Sequence, residues 1–449
     1  MDLNINRNVK NIKLRYFGVI MFFFFALSAC SSTYQKNIDD ENKNNSARDI
    51  IDKFSENDSK YSSEEITTVN RFKDESKSNE VSKDIELKEV NEFMIKQYNQ
   101  AAEAAQDALW REFWDEGRKY LRREVPHTNA DTGNDYWWFA HAIDVLVDGY
   151  ERTGDKEYLK RADLVARGVY ERNGNSFIND YFDDMDWMAL ALIRYYDNTS
   201  DEFYLDQSKI LFREVSEAWS GIAGGGVAWR RKSLNFKNTP SNAPAVILAV
   251  RLFERTKEQN YADWAYKIFT WLHNNLRDSE TGYIIDGLRD ANELIVEGSA
   301  YTYNHGTYIG AASEMYRLTG DKKYLEYAEF TLENATEQYS NNSAKVIDET
   351  GEGDGGLFKG ILIRYANVYY YTNPEKSTWV KEWITINTDS VIERSVNKLG
   401  LISDNWRGPA SRSQHLSSHL SGVMLLEACC KQYNEKFANF NYTLIEGTR

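Results

Sequence analysis

The sequence has 449 residues, 42% hydrophobic and 14% aromatic with five prolines, which is enough apolar material for a large core and fits a helical body. Its formal charge of −15 at pH 7, with Lys and Arg scattered along the chain, argues against a nucleic-acid partner. A neutral or cationic ligand is easier to accommodate.

The first feature in chain order is an address. Arg7, Lys10, Lys13 and Arg15 precede an apolar run from Tyr16 to Leu27, which ends in Leu27-Ser28-Ala29-Cys30. Residues 1–30 therefore read as a signal peptide, the run being too short for a committed membrane span. Its end resembles the bacterial lipoprotein box, where the chain is cleaved at a cysteine that is then lipidated. Cys30 is thus the expected lipidation site, with acyl chains holding the protein to a membrane at the surface or in the envelope of a bacterium. Residues 31–88 are rich in Asn, Asp, Glu, Lys and Ser without an apolar period, and are expected to be a disordered polar tether.

From about Val90 the apolar spacing becomes helical, as in Met188, Ala191, Leu192, Tyr195 and Tyr196. One junction recurs: YERTGDKEYLKRA (150–162), YDNTSDEFYLDQS (196–208), FERTKEQNYADWA (253–265) and YRLTGDKKYLEYA (316–328). Each has an aromatic, a polar turn and a tyrosine (Tyr158, Tyr204, Tyr261 or Tyr324) opening the next helix. The spacing matches helical hairpins, and about six fit, so residues 89–449 are expected to be all-α, an (α/α)6 barrel. Strand signals are few, with Gly282-Tyr283-Ile284-Ile285 a candidate short ribbon. Segments between the helices should gather over one mouth: 179–187, 220–244, 301–306, 351–360 and 403–409. Cys429 and Cys430 lie on an apolar helical stretch and read as core residues.

Within the first of these segments, DYFDDMDW (180–187) packs four carboxylates into seven residues. Helix capping accounts for one or two of them. A calcium loop does not fit, because Phe182 occupies a ligand position and no glycine follows. Catalysis by two carboxylates, one ionised and one kept protonated by its neighbour, is the third reading, and it suits sugar hydrolysis. Neighbouring side chains share neither a helical face nor a strand face, so Asp183 and Asp184 are expected on an irregular turn before a helix beginning near Met185.

The stretch DYFDDMDWMALALIRYYD closely resembles the Asp-Asp motif of glycoside hydrolase family 76, the bacterial endo-α-1,6-mannanases and their fungal cell-wall relatives. The likeness continues through GGGVAWR (224–230), SNAPAVILAVRLFERT (241–256), YTYNHGTYIGAASEMYRLTGD (301–321) and GLFKGILIRY (356–365), in order over nearly all of residues 92–430. It implies an (α/α)6 barrel and a retaining enzyme acting inside α-1,6-mannan, with Asp183 as nucleophile and Asp184 as general acid/base. Asp186 departs from the small or apolar residue expected at its position, and is expected to point to solvent.

Aromatic faces match the apolar faces of a pyranose, so the other mouth segments supply candidate sugar contacts. Trp229 is a candidate stacking platform and Arg230 a donor to hydroxyls. Tyr301, Tyr303, Asn304 and His305 offer the same mixture, and Asp354 and Trp406 complete the set. Trp137 and Trp138 read as core, and His273 and His415 as structural. No histidine pair has metal-ligand spacing and Gly224-Gly225-Gly226 lacks the Lys and Ser/Thr of a phosphate loop, so no metal or cofactor is expected, and without a Gly-x-Ser-x-Gly nothing suggests a Ser-His-Asp nucleophile. A monomer acting on an α-mannan poly- or oligosaccharide is the expectation. A transglycosylase and a non-catalytic glycan-binding lipoprotein are the alternatives.

Overall fold

A computed structural model describes residues 80–128, 131, 135–409, 413–434 and 444–445. The expected signal peptide, Cys30 and the tether as far as residue 79 lie outside the described residues. Helix α1, Glu80–Phe113, begins inside the stretch expected to be irregular, where Glu and Lys are good helix formers.

Eleven more helices follow: α2 (Tyr136–Thr153), α3 (Lys156–Arg172), α4 (Phe182–Thr199), α5 (Glu202–Glu217), α6 (Thr239–Thr256), α7 (Gln259–Asn275), α8 (Thr302–Thr319), α9 (Lys323–Tyr339), α10 (Gly355–Thr372), α11 (Thr378–Ser390) and α12 (Leu416–Tyr433). The even-numbered helices form a closed ring in chain order, α12 packing back on α2. Helices α3, α5, α7 and α9 each back the inner helix that precedes them, and α11 packs on α10 and α12. Gln106 of α1 donates to Val145 O at 2.6 Å and to Glu427 at 3.0 Å, which places the C-terminal half of α1 against α2 and α12. The fold is an (α/α)6 barrel. Inner helices are buried nearly all round, α6 along most of its length, whereas outer α3 buries only a stripe that includes Tyr158, Leu159, Ala162, Val165, Ala166 and Val169.

The recurring junction is a specific turn. Thr153, Thr199, Thr256 and Thr319 end their inner helices, each donating its hydroxyl to the carbonyl four residues back at 2.8–2.9 Å. Each also accepts the backbone N–H two residues on, at 3.1–3.3 Å. The residue between is left-handed, with φ of 75° at Gly154, 58° at Ser200, 60° at Lys257 and 72° at Gly320. The tyrosines that follow are buried.

Because an outer helix separates successive inner ones, the inner helices run parallel and their N-termini share one end. After three two-residue strands, β1 (Trp114–Asp115), β2 (Tyr120–Leu121) and β3 (Glu124–Val125), the mouth there carries a four-stranded antiparallel sheet absent from the sequence expectation: β4 (Ala228–Arg230), β5 (Ser233–Asn238), β6 (Gly287–Asp290) and β7 (Leu294–Glu297), paired in that order. The expected ribbon at 282–285 contributes only a bridge from Ile284 to Arg277. A bridge between Tyr181 and Arg230 ties the sheet to the start of α4. At the other end the inner helices present buried charges, including Arg194 with Asp144, Asp148 and Glu151, and Arg251 and Arg317 on Glu314.

Candidate active site

Both central aspartates sit in the first turn of α4, which begins at Phe182 and not near Met185. The expected irregular turn is therefore replaced by regular helix, and the surrounding donors set each carboxyl apart. Asp183 accepts the backbone N–H of Asp184 on Oδ1 at 3.1 Å and the indole N–H of Trp229 on Oδ2 at 3.1 Å. Asp184 accepts Asn179 Nδ2 on Oδ2 at 3.1 Å. Asn179 is fixed in turn, its Oδ1 accepting Tyr181 N–H at 3.1 Å and its carbonyl accepting Arg231 Nε at 3.2 Å. Arg231 N–H also bonds Asp180 O at 2.9 Å, so the sheet grips the segment entering α4.

These contacts split the pair electrostatically. Desolvation raises Asp183 to about 7 despite the donors from Asp184 and Trp229 that favour its anion, and Asp286 adds to the rise. Desolvation pushes Asp184 well above the carboxylate range, and the charges of Asp183 and Asp354 push the same way. At neutral pH the pair thus holds a proton, placed on Asp184.

Asp186 corrects an expectation. One turn beyond Asp183 on an inner helix it has no route to solvent; it is fully buried, and neither oxygen has a hydrogen-bond partner. Burial, with the nearby charge of Asp183, raises it well above its ordinary range.

Trp229 stands between Tyr181 and Phe236, edge to face at 5.2 and 5.9 Å. The Arg230 guanidinium lies 4.8 Å over its ring and donates to Tyr181 Oη at 2.8 Å. Trp229 thus donates to Asp183, and Arg230 steadies Trp229 and Tyr181 around it, contacts the sequence expectation did not include. Tyr303 and Asn304 donate to Asp286 Oδ1 at 3.2 and 3.1 Å. Gly298, at φ 81°, packs so tightly on Asp286 that an added Cβ would lie 2.5 Å from its Cβ. His305 is interior: Nδ1 donates to Tyr301 O at 3.0 Å and Nε2 accepts Ile284 N–H at 3.3 Å, and burial lowers it to about 4.

A half-buried aromatic rim completes the mouth. Tyr303 stacks on Phe358 at 4.1 Å, and Tyr301 lies 5.0 Å from the same ring. Trp137, expected in the core, is half-buried 6.5 Å from Phe358, and Trp138 is fully buried. Their indole N–H groups converge on Asp354 Oδ1 at 3.0 and 2.9 Å. Trp406, expected to meet ligand, is fully buried with Lys359 Nζ 4.7 Å above its ring, too deep for a sugar contact. Asn179, Asp286 and Phe358 were not singled out from sequence: Asn179 has the look of an ordinary loop residue, and only the fold brings Asp286 to Tyr303 and Asn304 and Phe358 into the aromatic rim. Among the described residues no three His, Cys, Asp or Glu side chains are grouped to hold a metal ion.

The model of Glycosyl hydrolase family 76 matches residues 97–436. A solved α-1,6-mannanase, GH76A of Salegentibacter sp. HEL1_6, is 35% identical with a TM-score of 0.71, the likeness covering 74% of this chain and 99% of that one. That structure is an inactive variant, two consecutive aspartates replaced by asparagine, in complex with α-1,6-mannotriose. A Listeria innocua protein is 31% identical with a TM-score of 0.70, over 75% of this chain and 97% of that one. The mannan endo-1,6-alpha-mannosidase DCW1 of Candida glabrata is 26% identical over 56% of this chain. The match spans only 58% of that protein and 45% of its Saccharomyces cerevisiae counterpart, less than two thirds of these fungal relatives.

Proposed function

Because this chain belongs to glycosyl hydrolase family 76, we propose that it hydrolyses internal α-1,6-mannosidic bonds of mannan with retention of configuration. The observation that carries the reading is the unequal hydrogen bonding of two consecutive carboxyls at the mouth. Asp183, with a donor on each oxygen, is the better anion and the nucleophile; Asp184, with one donor and two like charges nearby, keeps the proton. The activity named for the Salegentibacter enzyme, whose inactive variant lacks two consecutive aspartates, supports the same assignment.

In the first step an Asp183 oxygen bonds to the anomeric carbon, the glycosidic C–O bond breaks, and the departing oxygen takes the proton of Asp184. In the second, Asp184, now ionised, removes a proton from water, whose oxygen replaces Asp183 on the sugar. The N-terminus of α4 favours the carboxylate at Asp183 in the free enzyme. The half-buried rings of Tyr301, Tyr303, Phe358 and Trp137 suit the apolar faces of mannose units, and Asp286 suits their hydroxyls. The LSAC sequence ending at Cys30 supports a lipid anchor that keeps the enzyme on a bacterial membrane, and Cys30→Ala should release it to the soluble fraction.

Digestion of unbranched α-1,6-mannan, followed by product size and anomeric configuration, is the test. Early release of mid-sized α-configured oligosaccharides is expected, with Asp183→Asn and Asp184→Asn each losing turnover while still binding mannan. Turnover at the parent rate in the double variant would sink the assignment, and products longer than the substrate would identify a transglycosylase.

A further inference from the structure

One carboxylate at the mouth is held in place without being neutralised. Asp354 is the last residue before α10, and its side chain caps no helix N–H. Two indoles on consecutive residues of the first turn of α2 donate to the same oxygen, Oδ1, at 3.0 and 2.9 Å. Paired donors from one rigid helix set the carboxylate's direction, and Oδ2 has no hydrogen-bond partner among the described residues. Trp137 also meets Trp187 of α4 at 6.4 Å, so the clamp lies against the helix that carries Asp184.

The cation nearest to this clamp is engaged elsewhere. Arg123 lies 4.6 Å over the ring of Trp138 and is paired with Asp135, so Asp135 takes its charge and the indole shields it. Asp354 has no ion pair among the described residues. The titratable groups facing Asp184 are Asp183 on its own helix, Asp354 from the start of α10 and the phenol of Tyr136 from α2, which donates to Phe177 O at 2.6 Å. None is a cation.

We propose that Asp354 is a positioning residue for Asp184: the indole clamp of Trp137 and Trp138 keeps its negative charge facing the acid/base, where it retains the transferable proton until the leaving oxygen takes it. A carboxylate close to a second carboxyl disfavours the latter's ionisation, and a clamp of neutral indole donors on one oxygen fixes the carboxylate without supplying a positive charge to cancel its field. Asp354 touches no reacting atom in this scheme. The inference rests on Asp184 being the acid/base of the proposed mannanase.

The pH profile of kcat/KM on an α-1,6-mannooligosaccharide is the readout, because its alkaline limb reports loss of the acid's proton. Asp354→Asn, which keeps shape and removes charge, should move that limb down by about one pH unit with KM changed less than about threefold. Asp354→Glu should keep the limb near the parental position. On an aryl α-1,6-mannobioside with a dinitrophenolate leaving group, which departs without a proton, the Asn variant should show no limb shift. Trp137→Phe, which releases one indole donor, should move the limb the same way by less, and serves if the Asn variant folds poorly. An unmoved limb with a raised KM would make Asp354 an ordinary sugar contact and overturn the inference. A parent inactive on every α-mannoside would sink the mannanase reading and this inference together, whereas an active parent that Asp184→Asn silences, with an unmoved limb in the Asp354 variants, would sink this inference alone.

Discussion

Trp229 Nε1 lies 3.1 Å from Asp183 Oδ2, a bond between β4 and the first turn of α4 that joins two mouth segments far apart in the chain. It turns an aromatic residue, whose obvious use is stacking on sugar, into a donor that favours the anion of the nucleophile. Trp229→Phe keeps most of the ring packing against Tyr181 and Phe236 and removes only that N–H. Loss of a hydrogen bond to a charged group costs about 1.5–3 kcal/mol, so kcat/KM should fall roughly 10- to 100-fold. The acidic limb of the pH profile should move up, because Asp183 then ionises less readily. An unchanged limb would place the indole in substrate binding instead.

The two carboxyl roles can be separated by an external nucleophile. With an activated aryl mannoside, azide added to Asp183→Gly should attack the face the nucleophile occupied and give the β-mannosyl azide. With Asp184→Ala the covalent intermediate still forms, and azide should displace Asp183 to give the α-mannosyl azide. Product NMR decides. The opposite pattern would exchange the assignments.

The ring of hairpins was legible in the sequence because four inner helices, α2, α4, α6 and α8, end in the same threonine, left-handed residue and capping turn, which repeats as TGD, TSD, TKE and TGD before a buried tyrosine. The acidic doublet was legible because it is local. The supports were not: Asn179 is hidden in an ordinary loop, and Asp286 reaches Tyr303 and Asn304 only once β6 pairs with β5 across roughly fifty residues. The sheet itself was missed because its strands have three to six residues and little alternation. Asp186 was misjudged for a related reason. An aspartate in a charged run looks solvated until the helix proves to be an inner one, buried on every side.

That buried acid makes a stability prediction. The folded-state pKa of Asp186 is raised above its unfolded value, so folding binds a proton there, and its contribution is lost as pH rises above the unfolded value near 4. Asp186→Asn preserves the shape and removes the linkage. The variant should match the parent near pH 4 and exceed it by more than about 1 kcal/mol at pH 7.5, measured by urea unfolding. Equal stability difference at both values would mean that Asp186 is not protonated in the native state.

The opposite sign applies at the end of the barrel away from the mouth. Arg194, on the last turns of α4, meets Asp144, Asp148 at 2.7 Å and Glu151 at 3.0 Å, all of them largely buried. Burial alone would raise Asp144 and Glu151, but the Arg194 charge, with Arg364 beside Asp144 and Lys431 beside Glu151, overcomes it and holds both below their ordinary values. Depressed carboxylates stabilise the fold above their unfolded pKa, and that gain is lost as acid protonates them. Arg194→Met keeps much of the aliphatic packing and leaves buried carboxylates short of a cation, which costs about 3–5 kcal/mol at pH 7. The deficit should shrink towards pH 3, because the carboxylates left without Arg194 then bind protons and are no longer buried as charges, while those of the parent are already losing their advantage over the unfolded chain. It should also persist in 0.5 M salt, because counterions screen surface pairs far better than buried ones. A deficit that vanishes in salt, or that holds its size down to pH 3, would show that Arg194 acts through packing or surface charge and not through this buried cluster.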